Sequence, residues 1–237
     1  MSNESVYEGH EACPSCGSSD ANARYSDGHF YCYSCETYIK GNQNGEDMQL
    51  NTIQPDLQTK KSQPTSTGSL GDISDRKISK ETCKKYNTYL QKSGATITHH
   101  IYQYFDRDGQ HIANKVRRTE DKNFWTEGPI GNAVLFGQNI FNQGGKFVTV
   151  CEGELDAMSA YEMLGSKWPV ISIRNGAAAA SENCKKSLDY LNKFDNIVLC
   201  FDNDKQGKEA EKKVAQLFEP NKCKIMSLNM KDANEYL

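Results

Sequence analysis

Nowhere in the 237-residue chain does an apolar run approach the roughly 20 residues that a membrane-spanning helix needs. The opening Met-Ser-Asn-Glu-Ser has neither the basic nor the apolar region of a secretory signal, so the expectation is a cytoplasmic protein with no membrane partner. An excess of charge is missing too. With 28 Lys and Arg against 31 Asp and Glu the net charge is −3, and any affinity for nucleic acid has to come from local basic clusters. No G-x-x-x-x-G-K-[ST] occurs, since Gly144-Gly145-Lys146 is followed by Phe147, which excludes a nucleotide-driven motor of the P-loop kind. Hydrophobic residues make up only 37% of the chain, because one stretch is nearly coreless.

Cysteine is what the chain has in quantity. Cys13-Pro-Ser-Cys16 and Cys32-Tyr-Ser-Cys35 are two C-x-x-C pairs separated by fifteen residues. That spacing predicts a tetrahedral Zn²⁺ site, with thiolates from two tight turns joined by a hairpin. The metal takes the place of a core that forty residues cannot supply, so metal binding and folding of this segment are nearly one event. Cys83, Cys151, Cys184, Cys200 and Cys223 are scattered, and Cys151 and Cys200 lie inside apolar runs where cysteine acts as a small hydrophobe. Both features suit a reducing compartment.

From Gly41 to Asp72 the chain is rich in Gly, Asn, Gln, Pro, Ser and Thr, with only isolated apolar residues. Such composition predicts a tether with a reach of about 30 Å. Ser79 then precedes Lys80-Glu81 as a helix N-cap. Asp108-Gly109, flanked by strand-like runs between Ile101 and Arg118, predicts a hairpin on whose second strand Lys115 and Arg117 share a face.

The second half alternates apolar runs with helical patterns. Strands are expected at Phe147–Cys151, Val170–Ile173, Ile197–Phe201 and Lys224–Leu228. Between them, Leu155, Met158, Tyr161 and Leu164 recur at helical spacing, as do Ala210, Val214, Leu217 and Phe218. The order predicts a parallel sheet covered by helices, with chemistry at the carboxyl ends of its strands. Glu152-Gly153-Glu154-Leu155-Asp156 ends the first of these strands and Asp202-Asn203-Asp204 the third. Acids after strands often do no more than cap the next helix. Two such clusters brought side by side by the topology instead suit Mg²⁺, with Glu152, Asp202 and Asp204 as ligands and Asp156 and Asp232 as outer members. Lys115, Arg117 and Lys122 would set positive charge against phosphates, although short basic runs are also common on solvated faces.

Glutamate after one strand and Asp-x-Asp after a later one resembles the TOPRIM domain of primases, topoisomerases and some nucleases. A longer series is more specific: Tyr-Ser-Asp27-Gly-His29-Phe-Tyr-Cys, Ile-Ser-Lys-Glu-Thr-Cys83, Lys115-Val-Arg117, Lys122-Asn-Phe, Val-Leu-Phe-Gly137, Glu152-Gly-Glu-Leu-Asp156, Asn175-Gly-Ala, Phe-Asp202-Asn-Asp204 and Lys231-Asp-Ala-Asn-Glu235. In that order it resembles the primase half of short-tailed phage primase–helicases. Arg174-Asn175 stands where that family has Gly-His.

The resemblance implies an α/β chain: a four-cysteine zinc ribbon for template recognition at 1–41, a flexible linker at 42–72, an N-terminal primase subdomain containing the hairpin at 73–145 and a TOPRIM parallel sheet flanked by helices at 146–237. It further implies a DNA primase making short RNA primers on single-stranded DNA from ribonucleoside triphosphates. Structural Zn²⁺ and catalytic Mg²⁺ or Mn²⁺ would be the cofactors. A replicative helicase, fused or separate, and a DNA polymerase would be the partners, in the host cytoplasm if the chain is phage-encoded. Glu152, Asp202, Asp204, Lys115 and Lys122 would be catalytic. Asp27, His29, Arg76 and Arg117 would touch nucleic acid, with tyrosines 25, 31 and 33 near His29 as base-stacking groups. The rival readings are a TOPRIM nuclease or topoisomerase-like enzyme, and a non-catalytic zinc-finger and TOPRIM DNA-binding module of replication or recombination. A strand-passing topoisomerase needs large extra domains for which this length has no room.

Overall fold

The computed structural model describes residues 5–12, 22–32, 38–39 and 63–237. It divides into two compact units, Met1–Leu57 and Gln58–Leu237. In the first, four short antiparallel strands pair in chain order: β1 (Tyr7–Glu11), β2 (Asn22–Tyr25), β3 (Phe30–Cys32) and β4 (Tyr38–Ile39). Gly28 closes the β2–β3 turn at φ 80°, which a side chain would strain, and Asp27 Oδ1 accepts the His29 N–H to hold it. Cys32 ends β3 fully buried. Cys13, Cys16 and Cys35, and Tyr33 of the hairpin, lie outside the described residues.

The second unit begins as a strap. Thr65 and Ser66 donate three hydrogen bonds to the Glu127 carboxylate at 2.5–2.9 Å, and Ser69 pairs with Leu90. The tether read from composition to Asp72 is therefore anchored over its last residues, because one carboxylate and one strand edge satisfy its backbone. Ser79 Oγ accepts the Thr82 N–H and caps α1 (Lys80–Lys85) as expected. An antiparallel sheet follows in the order β5 (Thr88–Ser93), β6 (Thr96–Phe105), β7 (His111–Arg118), β8 (Phe124–Glu127). Asp106 Oδ1 accepts the N–H groups of Asp108 and Gln110 in the β6–β7 turn, where Gly109 has φ 79°.

The remaining strands form a parallel sheet in the order β10 (Val170–Ser172), β9 (Gly145–Cys151), β11 (Phe194–Cys200), β12 (Cys223–Ile225). Central β9 and β11 bury Val148, Val150, Ile197 and Leu199 completely, as strands covered on both faces do. The last strand stops at Ile225, short of the expected Leu228, since at the sheet edge it has one neighbour and Ile225 is left exposed. Helices α2 (Glu154–Met163), α3 (Ala180–Lys186), α4 (Leu188–Leu191), α5 (Lys205–Ala215) and α6 (Ala233–Tyr236) surround it. In α2 the expected stripe of Leu155, Met158, Tyr161 and Leu164 packs on the core, and the buried face is wider than that stripe. Met158 and Tyr161 are buried, but so are Ala157, Ser159 and Ala160, because the sheet covers one side of the helix while α1 and α6 cover another. The two sheets interlock at Tyr86, which stacks on Phe136 and donates to the Val170 carbonyl at 2.8 Å. Among the described residues no helix is long and apolar enough to cross a membrane.

Candidate active site

In a β10-β9-β11-β12 sheet the crossover after β9 runs to one side and the crossover after β11 to the other, so the crevice above the carboxyl ends of β9 and β11 is the switch point where open α/β sheets bind ligands. Glu152 follows β9 and Asp202 follows β11, and both line a cleft of about 720 Å³ together with Asp156 and Asp232. Glu152 Oε1 accepts the Ala177 N–H at 3.0 Å from the loop after β10. Its Oε2 is buried with no hydrogen-bond partner. Gly176 shapes that loop with φ 70°, its Cα face turned toward Glu152.

Crowding of the acids shows in their proton affinities. Asp156 is pushed up to about 7, first by burial and then by the charges of Asp232 and Asp202, against one opposing N–H from Asn234. Asp202 rises to about 6 by burial and by Glu152 and Asp232, with Lys231 opposing at 3.9 Å. A buried carboxylate oxygen without a partner and neighbouring acids that resist ionising together are a donor set suited to a cation. Among the described residues no three ligating side chains already enclose a point as a finished cage. Mg²⁺ does not ask for one, since it commonly takes one or two carboxylates and keeps waters and phosphates.

The facing wall comes from β7 and β8. Lys115 Nζ lies 2.8 Å from Glu154 Oε1, donates to the Arg174 carbonyl at 2.9 Å and sits 4.9 Å from the Phe124 ring centroid. Arg117, two residues on and largely buried, also faces Phe124 at 5.8 Å. Lys122, in the β7–β8 turn at φ 60°, and Arg76 complete the basic lining. Arg76 Nη1 donates to Asn234 Oδ1, and Asn234 returns its Nδ2 to the Arg76 carbonyl, tying the start of the unit to its last helix.

One cleft thus gathers Glu152, Asp156, Asp202, Asp232, Lys115, Arg117, Lys122 and Arg76 from the residues singled out in the sequence. Asp204 is not among its lining residues. Its Oδ1 accepts the Gly207 N–H as the N-cap of α5, the capping use that acids after strands often serve. Asp27 and His29 belong to the other unit, where Asp27 Oδ1 lies 2.5 Å from His29 Nδ1. His29 stacks on Tyr25 at 4.2 Å and tilts against exposed Tyr38. The hydrogen bond from the His29 backbone holds Asp27 below the usual carboxylate range. Sequence reasoning passed over Glu154, Tyr104, Lys231 and Asn234, and left Arg174 without a role. Arg174 is buried, its guanidinium bound to the carbonyls of Ile130, Gly131 and Ala133 and to Asn183. The one available signal was that Glu154, Lys231 and Asn234 stand inside motifs already marked by their acids.

Two family profiles match the chain: the Toprim-like family over residues 149–237, and the N-terminal α+β fold of the bacteriophage T7 DNA helicase/primase over residues 68–128. A DNA helicase/primase of Enterobacteria phage T3 is 37% identical over 244 residues, covering 98% of this chain and 41% of that protein. The crystal structure of the primase fragment of the bacteriophage T7 primase-helicase superposes with a TM-score of 0.68 at 34% identity, covering 97% of this chain and 94% of that one. A bacteriophage T7 lagging-strand DNA polymerase structure contains primase domains of two subunits bound to an RNA/DNA hybrid and dTTP. Such a domain matches with a TM-score of 0.64 and 37% identity, over 71% of this chain and 84% of that chain. The chain belongs to the primase family of T7-type phage primase–helicases. It spans about 41% of the length of its phage T3 relative.

Proposed function

We propose that this chain is a DNA primase that joins ribonucleoside triphosphates into short RNA primers on single-stranded DNA. A 3′-hydroxyl attacks the α-phosphorus of the incoming nucleotide, a phosphodiester bond forms and pyrophosphate leaves. The observation that carries this reading is the pairing of four carboxylates on one wall of a cleft with Lys115, Arg117, Lys122 and Arg76 on its other side. Such a cleft accepts a triphosphate only when its two walls act on different parts of it.

Glu152 and Asp202 would hold the Mg²⁺ or Mn²⁺, with Asp156 and Asp232 behind them. The orphaned Glu152 Oε2 and the raised Asp202 carboxyl support that fit. When bound, the cation supplies charge neutralisation and orientation of the reacting oxygens. Asp204 is assigned to the same acidic edge through the charge it adds beside Asp202 while it caps α5. Glu152 is held in one orientation by the Ala177 N–H. Lys115, Arg117 and Lys122 grip phosphate oxygens, and Arg76 meets the template backbone.

Template choice is assigned to the first unit. Asp27 and His29 would hydrogen-bond base edges beside the Tyr25, His29 and Tyr38 rings, on which unpaired bases stack. Tyr31 stands in the same strand as Cys32. Cys13, Cys16, Cys32 and Cys35 would hold a structural Zn²⁺. On the strength of its relatives, a replicative helicase and a DNA polymerase are the proposed partners, in the cytoplasm of the phage host.

Incubating the protein with random-sequence single-stranded DNA, Mg²⁺ and labelled ribonucleoside triphosphates tests this. Short labelled oligoribonucleotides are expected. Nicked or shortened template with no ribonucleotide product would instead favour the nuclease reading.

A further inference from the structure

Glu154 lines the same cleft as the other acids, and it is almost completely buried at 3% exposure. A charge removed from water is tolerated only when its lone pairs are filled. Here Tyr104 Oη donates to Glu154 Oε1 at 2.5 Å, and Lys115 Nζ approaches the same oxygen at 2.8 Å. Tyr104 is itself buried against Phe136, so the carboxylate is fixed from behind by the antiparallel sheet. The Arg174 carbonyl takes a second Lys115 proton, and the Arg174 side chain is locked by the 130–133 carbonyls and Asn183. Two of the three ammonium protons of Lys115 thus have rigid acceptors, and the third is left for the cleft.

We propose that Glu154, braced by Tyr104, is a positioning residue that fixes Lys115 so that its remaining N–H meets a phosphate oxygen of the incoming nucleotide. The proposal rests on the primase reading of Lys115. A flexible lysine would lose rotamer entropy on each nucleotide bound, whereas this one has lost it on folding. The ion pair also cancels most of the ammonium's net charge, so the lysine contributes a directed hydrogen bond more than a field.

The experiment is a double-mutant cycle in primer synthesis by the full chain, with Lys115→Met, Glu154→Gln and the pair, alongside Tyr104→Phe. Each variant is checked by thermal melting and by single-stranded DNA affinity. Glu154→Gln is expected to raise KM for the ribonucleoside triphosphate about tenfold, the cost of a charge-assisted hydrogen bond, with template affinity unchanged. In the Lys115→Met background the same change is expected to cost nothing further, since Glu154 acts through that lysine. Parental KM in Glu154→Gln beside an impaired Lys115→Met overturns the proposal alone, as does an undiminished loss in the double variant. Parental activity in Lys115→Met overturns the assignment of the lysine and the proposal with it. Should Glu154→Gln fail to fold, Tyr104→Phe decides: a rise in nucleotide KM supports the positioning role and a parental value overturns it.

Discussion

Glu152 and Ala177 come from different crossovers of the parallel sheet, yet the N–H of Ala177 donates to Glu152 Oε1 at 3.0 Å and so turns Oε2 into a buried site without a partner. A side chain held this way is committed to something outside the protein's own hydrogen bonds. Glu152→Gln keeps the Ala177 contact and removes the charge. Primer synthesis is expected to fall by about 100-fold or more while the melting temperature stays level or rises, since repulsion among neighbouring acids is relieved. Asp202→Ala is expected to behave alike. Parental rates in either variant would remove that residue from the site.

The raised carboxyls give a signed dependence on pH. Asp156 titrates at about 7 in the folded chain, against about 3.9 when unfolded. The folded state therefore keeps a proton that the unfolded state has lost, so this group adds no penalty below pH 4 and its full penalty above pH 7. In chelator-treated protein Asp156→Asn, which can still accept the Asn234 N–H, is expected to stabilise by about 1–3 kcal/mol at pH 8 and by nothing near pH 4. Chemical denaturation at the two pH values checks it.

Glu127 runs the other way. Burial alone would raise its carboxyl, but hydrogen bonds from Ser66, Asn114 and Thr65 overcome that and hold it at about 2. A depressed folded value contributes stability above pH 4 or so that is lost as pH falls toward 2. Glu127→Gln is expected to cost about 1–2 kcal/mol at pH 7 and to release the strap, read as faster hydrogen exchange at Ser66 and Ser69. Unchanged exchange there would mean that the Ser69–Leu90 pairing alone holds it.

The division between units is testable by separation. A protein beginning at Gln58, the start of the second compact unit, is expected to extend a supplied oligoribonucleotide but to lose initiation at preferred template sequences. His29→Ala in the full chain is expected to weaken that preference by about 1–3 kcal/mol, the worth of a base contact. Metal analysis of the full chain should find about one zinc, lost on Cys32→Ala. Initiation at the same sites without the first unit would place recognition in the second.

What was legible in the sequence was whatever repeats at short range. Apolar runs marked β9, β10 and β11, and the Asp108-Gly109 turn marked β6 and β7, because period and turn chemistry are local. Edge strand β8 went unread, since Phe124 and Trp125 are half exposed and flanked by charge. The acids were legible because strand order brings strand ends together. Glu154 was not, since its partners Lys115 and Tyr104 are 39 and 50 residues away and meet it only through packing of one sheet on the other. Asp204 carries a use that the Asp-x-Asp spacing did not announce, since its Oδ1 caps α5.

The proposed primase joins ribonucleotides in the cleft between Glu152 and Lys115. The most direct test is labelled primer synthesis on one single-stranded template set by the parental protein and by Glu152→Gln, at equal concentration in Mg²⁺. Short oligoribonucleotides are expected from the first and at most about a hundredth as much from the second, both proteins being folded. Equal product from the two, or no product from the parental protein, would contradict the proposal.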